Sequence, residues 1–141
     1  DTLLIFTTDH GHMLGEHGFT GKNIMHAYNE MAHIPLMIHF PGNEGAGQRV
    51  KALTQNIDLM PTILQHHGCD IPDRVKGKSL RDIRDGIAAP REQVIYGWFG
   101  RAVNVYDGRY TYFRAPASVE NSPLYQYCGM PSTCWRYFDE R

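Results

Sequence analysis

The chain has 141 residues, 42% apolar and 21% charged, enough for one domain with a core of ordinary composition. Its net charge of −1 leaves no basic footprint for nucleic acid or an anionic membrane surface. No apolar run approaches the ~20 residues of a membrane-spanning helix.

In chain order, Leu3 to Thr8 reads as a buried parallel strand, because both of its faces are apolar. Residues 9 to 24 hold four glycines and no clean period, so they form a loop. Met25 to Met31 suits a short helix. Leu36 to Phe40 suits a second strand, edged by Pro35 and ended by Pro41-Gly42, and Gly42 to Gly47 is a surface loop. The clearest helix is 59 to 67, with Asp58 as N-cap, Pro61 in the first turn and Gly68 at the stop. Its inward face is expected to be Leu59, Ile63 and Leu64. Residues 68 to 92 mix charges with Gly and Pro and read as a traversing connection. Then 93–96, 102–106 and 109–113 read as three strands, and Asp107-Gly108 between the last two is a hairpin signal. Three cysteines cannot all pair within one chain. Cys128 and Cys134 can bridge in an oxidising compartment or remain free thiols, and the compartment stays open.

The segment Thr7-Thr8-Asp9-His10-Gly11 places a carboxylate and an imidazole where the first strand ends. In open α/β sheets ligands sit beyond the carboxyl ends of the strands, so a metal or an anionic substrate is expected there. His10, His12 and His17 lie close in sequence. A three-histidine zinc site is disfavoured, because His10 and His12 point opposite ways in an extended stretch. His12 is expected to face a substrate pocket, His17 to pack the loop, and the His66-His67 pair to be structural at a helix end. Of the aromatic residues between 98 and 113, strand alternation makes about half core. Trp98 and Asn104 are the two to test for substrate contact.

Four ordered motifs carry a family resemblance. Asp9-His10-Gly11, Leu14-Gly15-Glu16-His17-Gly18 and Lys22 keep one fixed spacing. Tyr28-Asn29-Glu30-Met31-Ala32-His33-Ile34-Pro35-Leu36 is the second motif. Asp58-Leu59-Met60-Pro61-Thr62-Ile63-Leu64 is the third, and Gly77-Lys78-Ser79-Leu80 the fourth. Together they resemble the sulfatases of the alkaline-phosphatase superfamily, with a looser likeness at Asp107-Gly108-Arg109-Tyr110.

That resemblance implies an α/β fold. Residues 1–92 would be the C-terminal part of an alkaline-phosphatase-like sheet, and 93–141 a small antiparallel sheet region. It implies that Asp9 and His10 are metal ligands, that Lys22 binds sulfate and acts in catalysis, and that His12 contacts substrate. The expected ion is Ca²⁺, which favours the hard oxygen of Asp9, with Mn²⁺ or Zn²⁺ as the alternatives an imidazole suits. The expected substrate is a sulfate ester or sulfated sugar, with no nucleic-acid partner. Phosphonate or phosphodiester hydrolysis and a non-catalytic binding module are the competing readings.

The family's nucleophile motif, Cys-x-Pro-Ser-Arg or its serine version, whose Cys or Ser becomes formylglycine, is not found. Cys69 leads Asp-Ile-Pro, Cys128 leads Gly-Met-Pro and Cys134 leads Trp-Arg-Tyr. The expectation is a C-terminal fragment carrying half of an active site and inactive alone, with formylglycine in a preceding segment.

Overall fold

The computed structural model describes residues 1–22 and 26–125. The Met25 end of the expected first helix, and Cys128 and Cys134, lie outside the described residues. The architecture is mixed α/β with small antiparallel sheets.

Strand β1 (Leu4–Thr7) pairs with β4 (Leu36–His39), and this corrects the first expectation. The pairing is antiparallel, Leu4 against His39 and Thr7 against Leu36, rather than parallel. Nor is β1 covered on both sides. Ile5, Thr7, Leu36 and Ile38 form a half-buried face, while Leu4, Phe6 and Met37 stand exposed on the other. Apolar residues on both faces signalled a strand suited to a covered position but carried no information about its partner's direction. The long excursion between the two strands reverses the chain, and that sets the direction.

Within that excursion, β2 (Met13–Leu14) and β3 (Thr20–Gly21) form a two-rung ribbon around a 3₁₀ turn at Glu16–Gly18. Helix α1 spans only Asn29–Ala32, shorter than expected and starting later. Pro35 lies just beyond it and biases the preceding residue toward extended backbone, so the helix cannot continue. Met13 and Met31 are buried together, with Phe19, Tyr28 and Trp98 packed around them. This cluster fastens the ribbon to α1. Gly11 lies against it so tightly that a Cβ there would meet the Glu30 carbonyl oxygen at 1.7 Å, while its N–H donates to the Met31 carbonyl at 2.9 Å. The first and second motifs are therefore one structural unit.

The third and fourth motifs form another. Helix α2 (Leu59–His66) follows a 3₁₀ turn at Asn56–Asp58 and packs on α3 (Leu80–Arg84), a helix in the stretch expected to be an irregular connection. Ser79 followed by apolar Leu80 and Ile83, three apart, was its faint signal, and both apolar residues are buried.

The inward face of α2 also differs from expectation. Pro61 and Thr62 are buried, whereas Ile63 is exposed. The reason is polar. The Thr62 hydroxyl donates to the Asp58 carbonyl at 2.6 Å and accepts the Leu80 N–H at 2.8 Å. Gln65 joins the Ser79 hydroxyl to the Asp82 carboxylate. Hydrogen bonds, more than apolar burial, turn this face toward α3.

Asp58 does not cap α2 with its side chain. Its fully buried carboxylate accepts the N–H of Gln55 at 2.9 Å, the N–H of Lys78 at 2.8 Å, and both Nη groups of Arg91 at 2.8 and 2.6 Å. Three stretches of chain meet at one carboxylate. Gly77 makes this approach possible, since a Cβ there would stand 2.0 Å from the Ile57 carbonyl oxygen.

The three expected late strands are present as one antiparallel sheet: β5 (Val94–Gly97), β6 (Val103–Tyr106) and β7 (Thr111–Arg114). Asp107 closes the hairpin by accepting the N–H groups of Arg109 and Tyr110 at 2.8 and 2.7 Å, with Gly108 at φ 95°. Those two N–H groups, Tyr110's first, hold the Asp107 carboxyl below its ordinary pKa. The Gln55 side chain donates to the Ile95 carbonyl at 2.8 Å, tying this sheet to the turn before α2. Among the described residues, no helix is long and apolar enough to cross a membrane.

Candidate functional site

The end of β1 presents Thr8, Asp9 and His10. The Thr8 hydroxyl donates to the His10 carbonyl at 3.2 Å, which bends the chain away from strand geometry and turns out the next two side chains. The Asp9 side chain is exposed, with Oδ2 3.5 Å from His10 Nε2. Desolvation raises the Asp9 carboxyl pKa, but its own backbone N–H, the His10 ring and the Thr8 hydroxyl together outweigh it, and the net shift is downward. The carboxylate stays ionised.

His10 Nδ1 lies 2.8 Å from the Gly11 carbonyl oxygen. A carbonyl can only accept, so Nδ1 is the donor there, which leaves the lone pair to Nε2. The Lys22 ammonium meets that lone pair at 2.6 Å. The β2–β3 ribbon explains the meeting. Met13 pairs with Gly21, so the chain returns beside its own start and delivers Lys22 to the His10 ring. Three of the residues singled out in the sequence thus stand together: Asp9, His10 and Lys22.

His12 stands apart from them. Its Nδ1 donates to the Met13 carbonyl at 3.0 Å, and the ring is outside the lining of the cleft described below. His17 stacks on Tyr28, with ring centroids 4.0 Å apart and planes 16° apart, and its Nε2 is 3.7 Å from Glu30. Its role in packing the loop matches expectation. Trp98 packs in the methionine cluster, and Asn104 is buried within the late sheet. The Trp98 indole N–H and both polar atoms of the Asn104 amide have no hydrogen-bond partner.

A cleft of about 1190 Å³ runs from Thr7, Asp9 and His10 to Tyr96, Trp98 and Tyr106 on the late sheet. Lys22 reaches it only through His10. Among the described residues, no cluster of three or more His, Cys, Asp or Glu side chains is placed to hold a metal ion. Two donors are present, an ionised carboxylate oxygen and an imidazole lone pair. Both are of the types a divalent cation takes, so the residues fit half a site. Sequence reasoning missed the Asp58–Arg91 pair, which has no local pattern because its partners are 33 positions apart. It also missed Glu30 as a wall of the site's surroundings. Its signal was the second motif, in which the carboxylate lies two residues after Tyr28.

An exposed carboxylate, an imidazole and an ammonium thus stand together at a strand end, on a mixed α/β frame. Comparison with known proteins then gives the family. Residues 15–125 match the family described as N-sulphoglucosamine sulphohydrolase, C-terminal, and the chain belongs to it. It is 36% identical over 83 residues to an N-acetylglucosamine-6-O-sulfatase of Bacteroides thetaiotaomicron, covering 59% of this chain and 14% of that protein. It is 34% identical over 111 residues to an arylsulfatase of Clostridium perfringens, covering 75% and 23%. With the multifunctional alkaline phosphatase superfamily protein PehA of Trinickia caryophylli, identity is 46% over 82 residues, covering 57% and 15%. A crystal structure of a candidate sulfatase from Bacteroides thetaiotaomicron superposes with a TM-score of 0.66 at 25% identity, covering 79% of this chain and 26% of the other. The chain therefore spans between 14% and 26% of the length of these relatives.

Proposed function

We propose that this chain supplies part of the active site of a sulfuric ester hydrolase, with Asp9 and His10 holding a divalent metal and Lys22 holding the sulfate. The observation that carries the reading is the convergence of Asp9, His10 Nε2 and Lys22 Nζ at the end of β1. The named relatives supply the reaction class.

Asp9 would bind through its carboxylate and His10 through Nε2, the one ring nitrogen with a lone pair. Ca²⁺ is the expected ion, with Mn²⁺ or Zn²⁺ as alternatives. When bound, such an ion polarises sulfate oxygens as a Lewis acid. Nε2 would be the ring atom that holds the ion, and Lys22, kept beside the His10 ring by the β2–β3 ribbon, would be the cation available to a substrate oxygen. A sulfate ester gathers charge on its leaving oxygen as the S–O bond breaks, and a fixed ammonium stabilises that charge where water is excluded. Gly11 N–H and Met31 carbonyl hold the loop's far side, so the geometry is set before substrate arrives. His12, directed at the Met13 carbonyl, has a weaker claim to substrate contact than Lys22.

The nucleophile would come from formylglycine outside these residues. No Cys or Ser here stands in the required motif, so the 141 residues alone are expected to be inactive.

A second reading, phosphodiester or phosphonate hydrolysis, draws on the 46% identity to the multifunctional relative. Both anions are tetrahedral, and an ammonium with a metal suits either. Rates of the longer enzyme on an aryl sulfate and on an aryl phosphodiester test the choice. The sulfate ester is expected to be turned over faster, and the reverse order overturns the first reading.

A further inference from the structure

A second, smaller cleft of about 250 Å³ adjoins the first, sharing Ala27, Asn29 and Tyr96 with it. It lies between α1 and the late sheet. Its walls are aromatic: the Tyr28 ring, braced by the stack with His17, and Phe113 of β7. Its polar groups are the Glu30 carboxylate, the Asn29 amide, the His17 imidazole and two hydroxyls, Tyr96 and Thr111, whose oxygens are 3.4 Å apart. Tyr96 and Phe113 are in register across the late sheet, on either side of the buried Asn104.

The volume lies below the about 300–1,000 Å³ typical of sites for drug-sized ligands and leaves room for a single ring. Flat apolar walls with hydroxyl and carboxylate groups at the rim match a ring with a C–H face and hydroxyls around its edge. Charge narrows the choice further. No lysine or arginine is among the described residues that line this cleft, and its one carboxylate, Glu30, stands 3.7 Å from the His17 imidazole.

We propose that this smaller cleft binds an unsulfated pyranose ring, next in the glycan to the sulfated ring at Lys22. Only the words "next to the sulfated ring" rest on the sulfate-ester reading. The ring itself is assigned from this cleft's own chemistry. Glu30 accepts from ring hydroxyls, Tyr96 and Thr111 hold the opposite edge, and Tyr28 and Phe113 cover the apolar face.

The test is a ligand-observed NMR titration of the 141-residue chain with methyl glucopyranoside, and with the same sugar carrying a 6-sulfate. Saturable binding of the neutral sugar is expected. Glu30→Gln and Tyr96→Phe should each weaken it about three- to tenfold, the loss of one hydrogen bond. Tyr96→Phe keeps the ring and removes one oxygen, so it reads the cleft without disturbing the sheet. Lys22→Ala should leave the neutral sugar unchanged and weaken only the sulfated one. No saturable binding of the neutral sugar, or binding unchanged in both cleft variants, overturns the proposal. A sulfated sugar that binds no tighter than the neutral one and ignores Lys22→Ala overturns the sulfate reading instead, and the cleft assignment stands.

Discussion

Replacing Arg91 with methionine isolates a two-pronged contact to a fully buried carboxylate. Methionine keeps much of the arginine stem's apolar volume and removes the guanidinium. The Asp58 carboxylate, wholly inaccessible to solvent, then loses two charge-assisted hydrogen bonds of 2.8 and 2.6 Å. It retains only the N–H groups of Gln55 and Lys78. Breaking a buried pair from one side typically costs about 3–5 kcal/mol, because the surviving charge stays buried without compensation. Two remaining backbone donors place the loss near the lower end, about 3 kcal/mol. Urea denaturation of wild type and variant measures it, with an unchanged slope showing that the same surface unfolds. A double variant, Asp58→Leu with Arg91→Met, should lose less than the sum of the single changes, because the pair's coupling enters both singles. If Arg91→Met lay within about 0.5 kcal/mol of wild type, the range of ordinary surface changes, the carboxylate would not be the tie described here.

Gly11→Ala should destabilise the protein by about 1–3 kcal/mol, an overpacking cost, since the new methyl would meet the Glu30 carbonyl oxygen at 1.7 Å. Thermal denaturation reads this, and an unchanged midpoint would contradict the joining of the two motifs. Asn104→Leu should leave stability unchanged or raise it by about 1 kcal/mol, because an unpartnered buried amide gives way to an apolar group of similar size. A clear loss in the same assay would contradict that. The depressed Asp107 carboxyl should support the hairpin fully above its ordinary pKa of 3.8 and lose that support as pH falls through its lower folded value. Carboxyl NMR titration checks the direction, and a midpoint above 3.8 would refute it.

The late sheet was legible in the sequence because its signals are local. Three short alternating runs and Asp107-Gly108 need no distant partner to be recognised. The meeting of Asp9, His10 and Lys22 was legible for a different reason, since these residues flank one ribbon whose span the motif spacing records. What escaped was set by long-range contact. The direction of β1 depends on β4, nearly thirty residues on. The inward face of α2 depends on hydrogen bonds from Thr62 and Gln65 to the segment from Ser79 to Asp82, so a hydrophobic count over α2 named Ile63 wrongly. Asp58 looked like an N-cap because Asp before an apolar period usually is one, whereas Arg91 claims its carboxylate from far along the chain. His12, expected to face a substrate pocket, has its Nδ1 turned to the Met13 carbonyl and its ring outside the lining of the larger cleft.

The central claim, that Lys22 serves as sulfate ligand beside the Asp9–His10 metal site, is tested most directly by turnover of an aryl sulfate by the longer enzyme carrying Lys22→Ala. The account predicts a loss of about 2–4 kcal/mol of transition-state stabilisation, the range for removing one oxyanion donor, with thermal stability nearly unchanged. Activity within twofold of wild type would contradict it.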